Sequence, residues 1–136
     1  MFERNEEKKI NNRMKKFFIK IGNLEFEIFL RDTNTARQIK KNLPISGASN
    51  KWGKEYYFYT FLKLPIEDAA KQIINLGEIA YWPGGDAVAI GYGRTPISVK
   101  NEIKLADKCN VWADTKFDLR LLDSLVYPKN ISIESR

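Results

Sequence analysis

The stretch from Gly77 to Ser98, GEIAYWPGGDAVAIGYGRTPIS, constrains the fold more than any other part of the chain. Two apolar runs, Glu78 to Trp82 and Ala87 to Tyr92, flank a Pro-Gly-Gly-Asp sequence at Pro83 to Asp86, and a Gly-Arg-Thr-Pro exit follows. Short apolar runs separated by such punctuation are strands joined by a turn, so the stretch reads as a hairpin. Apolar residues run through both arms, which places these strands where both faces are buried or where they line a barrel. Ala80, Ala87, Ala89, Gly91 and Gly93 carry little bulk, and leave room for something to lie against the backbone.

The remaining segments supply partners for that hairpin. Lys16 to Ile21 and Leu24 to Leu30 flank Gly22-Asn23, a two-residue turn of the kind tight hairpins prefer. In the second arm Leu24, Phe26, Ile28 and Leu30 alternate with a mostly polar set. Asp32, Thr33 or Asn34 can cap a helix over Thr35 to Asn42, which Pro44 stops. Ile45 to Lys54 reads as a polar loop holding Trp52, and Glu55 to Phe61 as an aromatic strand that offers Tyr57 or Tyr59 to a cavity. Helix or turn is expected through Ala70 and a strand from Lys71. The connection from Asn101 to Lys108 has no clear pattern. Cys109 to Asp114 reads as a strand with Cys109, Val111 and Ala113 on one face and Asn110, Trp112 and Asp114 on the other. A short helix or turn over Phe117 to Leu125, a turn at Tyr127 to Asn130 and a last strand at Ile131 to Ile133 complete the chain. Many short strands with one or two short helices indicate a mainly β fold, a single small barrel whose closure removes exposed edges.

Composition excludes several kinds of chemistry. At 136 residues with 43% apolar and 29% charged content, the chain is expected to be one globular domain. It contains no His, so Ser-His-Asp, Cys-His and imidazole-based chemistry are ruled out. One Cys permits neither an internal disulfide nor a Cys-rich zinc site, and no cofactor or metal is expected. No run reaches the ~18 apolar residues of a membrane span and no signal-peptide core opens the chain, so the expected compartment is the cytoplasm. Through Lys20 seven basic residues face three acidic ones, which carries four of the six net positive charges. Residues 1–15 are therefore read as a basic, flexible tail preceding a domain over 16–136, with Met14 as an alternative start.

Thr35-Ala36 through Leu43-Pro44-Ile45, Trp52-Gly53-Lys54-Glu55 with Tyr57-Phe58, and Gly77 to Pro83 continuing to Gly93-Arg94-Thr95-Pro96-Ile97-Ser98 follow one another in an order and spacing that resembles the prokaryotic cyclophilin-like β-barrel family. The resemblance covers about Leu24 to Asp114 and implies a closed cyclophilin-like barrel of about eight strands. It brings no defined activity, because that family is largely of unknown function. True cyclophilins hold proline in a pocket of Arg, aromatic, amide, Trp and His side chains, with a Phe-Met-Ile-Gln-Gly-Gly-Asp-Phe type signature. This chain has no His and no such signature, and Arg94, in Gly-Arg-Thr-Pro, is not carried over as a catalytic Arg.

The expected site is a groove lined by Trp52, Glu55, Tyr57, Trp82 and Arg94, with the Thr95 hydroxyl beside Arg94. Glu55 would accept hydrogen bonds from a ligand, or act as a base if burial raised its pKa. Arg94 would hold an anionic group. The leading expectation is a binding module for a small molecule or peptide. The alternatives are a divergent peptidyl-prolyl isomerase or other carboxylate-dependent enzyme, and weak nucleic-acid binding through the tail, which the near-neutral barrel argues against. Cys109 reads as a buried small hydrophobe, and Glu78 and Asp86 as structural.

Overall fold

The computed structural model describes residues 15–136, so the basic tail, except for its last residue, and the alternative start at Met14 lie outside the described residues. Ten antiparallel strands are present among them: β1 (Phe17–Ile21), β2 (Leu24–Leu30), β3 (Ile45–Ala48), β4 (Asn50–Lys51), β5 (Glu55–Tyr59), β6 (Lys71–Ile74), β7 (Glu78–Trp82), β8 (Ala87–Gly91), β9 (Ile103–Asp114) and β10 (Asn130–Ser135). They are joined in the order β3-β10-β1-β2-β9-β7-β8-β5-β4, with β6 added to β9 beside that path. Its two ends, β3 and β4, are separated along the chain by Ser49 alone, so the ribbon is closed by its own backbone. Counting β3 and β4 as one bent corner strand, and setting β6 aside, the ten strands form the eight staves expected of the barrel. Segments of the polar 45–54 loop are thus strands, because each finds a neighbour, β10 for β3 and β5 for β4.

Helix α1 (Asn34–Lys41) begins where the Thr33 hydroxyl accepts a hydrogen bond from the Ala36 N–H, and it buries Thr35, Ala36 and Ile39. Eight residues cannot hold a helix in water unaided, and the buried stripe seats it on the barrel. Glu67 accepts from both the N–H and the hydroxyl of Thr35, while the Asn110 amide donates to the Thr35 hydroxyl and the Pro65 carbonyl and accepts from the Glu67 N–H. A 3-10 helix over Leu119–Ser124 buries Leu119 and Leu122. The barrel interior is filled with side chains: Tyr56, Phe58, Tyr81 and Trp112 are all 2% exposed or less.

The central hairpin is buried on both faces. Ile79, Tyr81, Val88 and Ile90 face the main core, whereas Ala80 and Ala89 face a second cluster made with Ile74, Ile103, Leu105, Cys109 and Val111. What lies against its small residues is therefore the chain's own β6 and the first half of β9. A Cβ on Gly91 would come within 2.6 Å of the Ile103 side chain.

β9 departs from the alternation expected for Cys109 to Asp114. Opposite β7, Ile79 pairs with Ala113 but Ala80 with Val111, so Trp112 is an extra residue, a bulge. Trp112 and Ala113 consequently both enter the main core while Cys109 and Val111 face the outer cluster, and the Trp112 indole N–H donates to the Ala80 carbonyl at 3.1 Å.

Candidate functional site

Strand β5 sorts its side chains by parity. Tyr56 and Phe58 enter the main core, and Glu55 and Tyr57 take the outer face, opposite Gly91 and Ala89 of β8. Trp82, two residues beyond Ala80 on β7, joins the same face, with its ring folded over Gly84 and Gly85 of the hairpin turn. Glu55, Tyr57 and Trp82 therefore meet around one void of about 10 Å³ on the outside of the barrel, closed by Ala89, Leu105, Ala106 and Cys109. A void of about 10–15 Å³ suffices for a single water molecule.

The cover is an arch in β9. Between the pairs Lys71–Cys109 and Ile73–Lys104, β6 advances from 71 to 73 while β9 runs from 104 to 109, and the surplus loops out over Glu55. Leu105 anchors the arch by burial, with its carbonyl accepting from the Gln72 amide at 3.0 Å, and Ala106, Asp107 and Lys108 are exposed.

Glu55 is 6% exposed and takes part in no side-chain hydrogen bond or ion pair among the described residues. Burial alone pushes its carboxyl up to about 7. The Trp82 indole N–H is likewise buried without a partner. The same surroundings raise the Tyr57 phenol, chiefly through desolvation, and push the Cys109 thiol up to about 12, first by burial and then by Glu55 and Asp107. Cys109 is therefore a buried thiol, not a thiolate nucleophile. Contrast Glu78, equally buried: Arg31, Lys71 and the Asn75 N–H all bond it and hold it below its ordinary value against the desolvation. Asp86, in the turn, accepts from Thr60, Lys63 and Tyr81 and is lowered in the same way.

The other sequence-chosen residues lie elsewhere. Arg94 lines a separate cleft of about 380 Å³ with Lys54, Tyr92 and Arg120. Thr95 is buried, with its hydroxyl on the Lys104 carbonyl and beside the Ser98 hydroxyl, so it ties the 95–98 loop to β9. Trp52 is half-buried and lines neither cavity. A further concavity of about 680 Å³ lies between β4, β5 and the 125–129 loop and is lined by Ser49, Lys51, Tyr56, Tyr127 and Lys129 among others. Sequence reasoning missed the arch residues Leu105 and Ala106, since the 101–108 segment had no period of its own. It also missed Tyr92, Lys54 and Arg120, which only barrel closure brings together. Among the described residues no group of three His, Cys, Asp or Glu side chains gathers as metal ligands would, and no helix is long and apolar enough to cross a membrane.

A self-closed antiparallel barrel with a filled interior and one short α-helix seated on it defines a cyclophilin-type β-barrel protein. The chain belongs to the family described as Cyclophilin-like, whose model matches residues 15–134. Among solved structures it is similar to the hypothetical protein AF2241 from Archaeoglobus fulgidus, determined in solution, at 30% identity and a TM-score of 0.72 over 88% of this chain and 92% of that one. It also resembles McbB, solved in complex with tryptophan, at 12% identity and a TM-score of 0.65 over 87% of this chain and 44% of that one, a likeness of fold alone. No curated protein matches it.

Proposed function

We propose that the chain is a ligand-binding module that takes a small molecule or short peptide on the outer face of the barrel, beside Glu55, Tyr57 and Trp82. The observation that carries this reading is the Glu55 carboxyl, buried with no hydrogen-bond partner among the described residues. An unpartnered buried acid is costly unless something outside the chain satisfies it, and such groups concentrate at functional sites. The ligand chemistry that fits is an N–H or O–H donor to Glu55 on an apolar or aromatic body that packs on Trp82 and Tyr57. Room for it requires the exposed Ala106–Lys108 arch to move aside, since the closed void holds no more than a water.

Prolyl isomerisation is not part of this reading. The chain has no His, and Arg94 lies in a cleft that shares no lining residue with the Glu55 void. A proline-isomerisation assay on a peptide substrate is expected to give the uncatalysed rate; turnover that disappears in Glu55→Ala would replace the binding reading with an enzymatic one.

Thermal-shift screening with amine, amide and peptide libraries tests the binding reading directly. A ligand at ~100 times its dissociation constant adds about 2.7 kcal/mol to stability. The expected hit loses its shift in Glu55→Gln and Trp82→Leu. A hit that survives both but fails in Tyr127→Ala would move the site to the 680 Å³ groove, where Tyr127 is 92% exposed.

A further inference from the structure

We propose a second site, distinct from the Glu55 face: the 380 Å³ cleft between the 92–101 segment and the 3-10 helix binds a small oxyanion, a phosphate or carboxylate group, on Arg94, Lys54 and the Tyr92 hydroxyl. The cleft and the Glu55 void have no lining residue in common.

Charge is the first observation. Lys54, Arg94 and Arg120 line the cleft against one carboxylate, Asp123, an excess of two positive charges. Asp118, which grips Arg120 with both oxygens at 2.9 Å without lining the cleft, still leaves an excess of one. The Lys54–Asp123 pair is loose, at 3.9 Å. Arg94 is held in place but not neutralised: its two terminal nitrogens donate to the carbonyls of Lys100 and Ser98, and it makes no ion pair among the described residues. A guanidinium fixed by neutral carbonyls and not by a carboxylate has donors left for an incoming oxyanion.

The second observation is Tyr92, which lines the same cleft. It is 3% exposed, and its hydroxyl is buried with no hydrogen-bond partner. Desolvation, with Tyr56 and Asp123 nearby, holds the phenol far above its ordinary value, so it stays protonated and keeps a proton to donate to an incoming group. Buried hydroxyls are normally satisfied, and one left over in the wall of a cationic cleft marks where an acceptor belongs.

The third is how the chain positions Lys54. Its N–H donates to the Arg94 carbonyl and its carbonyl accepts from the Tyr92 N–H, both at 2.8 Å, which locks the three residues side by side. Its side-chain stem lies on Gly93, where a Cβ would stand 2.6 Å from Lys54 Cδ. Glycine there lets the ammonium-bearing chain run across the backbone toward the cleft.

The test titrates the full chain with inorganic phosphate and, separately, with malonate, followed by amide chemical shifts at an ionic strength held constant with chloride. Saturable binding of one of them is expected, and which one binds separates a phosphate from a carboxylate ligand. Arg94→Gln should weaken it about tenfold. Tyr92→Phe is the sharper variant: it should weaken binding while leaving the melting temperature of the free protein equal or higher, because the lost hydroxyl had no partner. Glu55→Gln should not alter the titration. Absence of saturation with both anions, binding in both cleft variants equal to that of the parent chain, or a clear drop in the free protein's melting temperature in Tyr92→Phe would each overturn the proposal.

Discussion

Glu55 ties stability to pH in a direction opposite to that of the paired acids. Burial raises its pKa from 4.5 to about 7, so the folded protein holds this proton more tightly than the unfolded chain does. Its contribution to stability is fully present below about pH 4.5 and is lost as pH rises through about 7, an effect of about 3 kcal/mol. Glu78 and Asp86 are lowered, so their contributions are present above their ordinary values and fall away only in acid. Urea unfolding at pH 5 and pH 8 should therefore show a stability loss with rising pH that Glu55→Gln flattens; an unchanged slope would mean that the carboxyl is solvated. Gly53 offers a backbone counterpart. Its φ of +60° and a Cβ position 2.8 Å from the Thr95 Cα leave no space for a side chain, and Gly53→Ala should destabilise by about 2 kcal/mol, read by the same unfolding curves.

Elements are held together by a few polar ties across the barrel. Asn110 joins β9, α1 and the 65–67 segment through bonds at 2.9 Å to Thr35, Pro65 and Glu67. Asn110→Ala would take one bond from the buried Thr35 hydroxyl and leave the Pro65 carbonyl and the Glu67 N–H without this partner, and should cost about 2 kcal/mol, with amide exchange in α1 accelerated before the rest of the molecule. Arg31 bridges three strands, gripping Asp114 of β9 with two bonds at 2.8 Å and Glu78 of β7 at 2.8 Å from its place beyond β2. Its side chain is 36% exposed, which discounts the pair, so Arg31→Ala is expected to lose about 2 kcal/mol at low salt and less as salt rises.

For the molecule as a whole, the distribution of burial predicts where it opens. The central hairpin has a core on each face, and its amides should exchange only through global unfolding. Ala106 to Lys108, exposed and outside the β6–β9 pairing, should exchange fastest within β9. Native-state hydrogen exchange checks both. Uniform protection along β9 would argue that the arch does not move, and with it the access route to Glu55.

Much of this was legible in the chain itself. The turn residues Gly22-Asn23 and Pro83 to Asp86, the capping run Asp32 to Asn34, of which the structure uses Thr33, and the alternation in Leu24 to Leu30 act within a few residues of themselves, so local chemistry determined those hairpins and that helix. The double burial of Ala87 to Gly91 followed from its lack of polar alternation. Tertiary contacts alone decided the rest. Ile45 to Ala48 became a strand because β10 lay beside it, and the bulge at Trp112 reversed a face that period-two counting assigned the other way. The six residues expected to form one groove were divided for the same reason. Parity on β5 and the β9 arch enclosed Glu55, Tyr57 and Trp82, while the 92–101 segment carried Arg94 to a cleft with Lys54 and Tyr92. Sequence sets which way a side chain points from its own strand; which strand lies across from it is fixed only when the barrel closes.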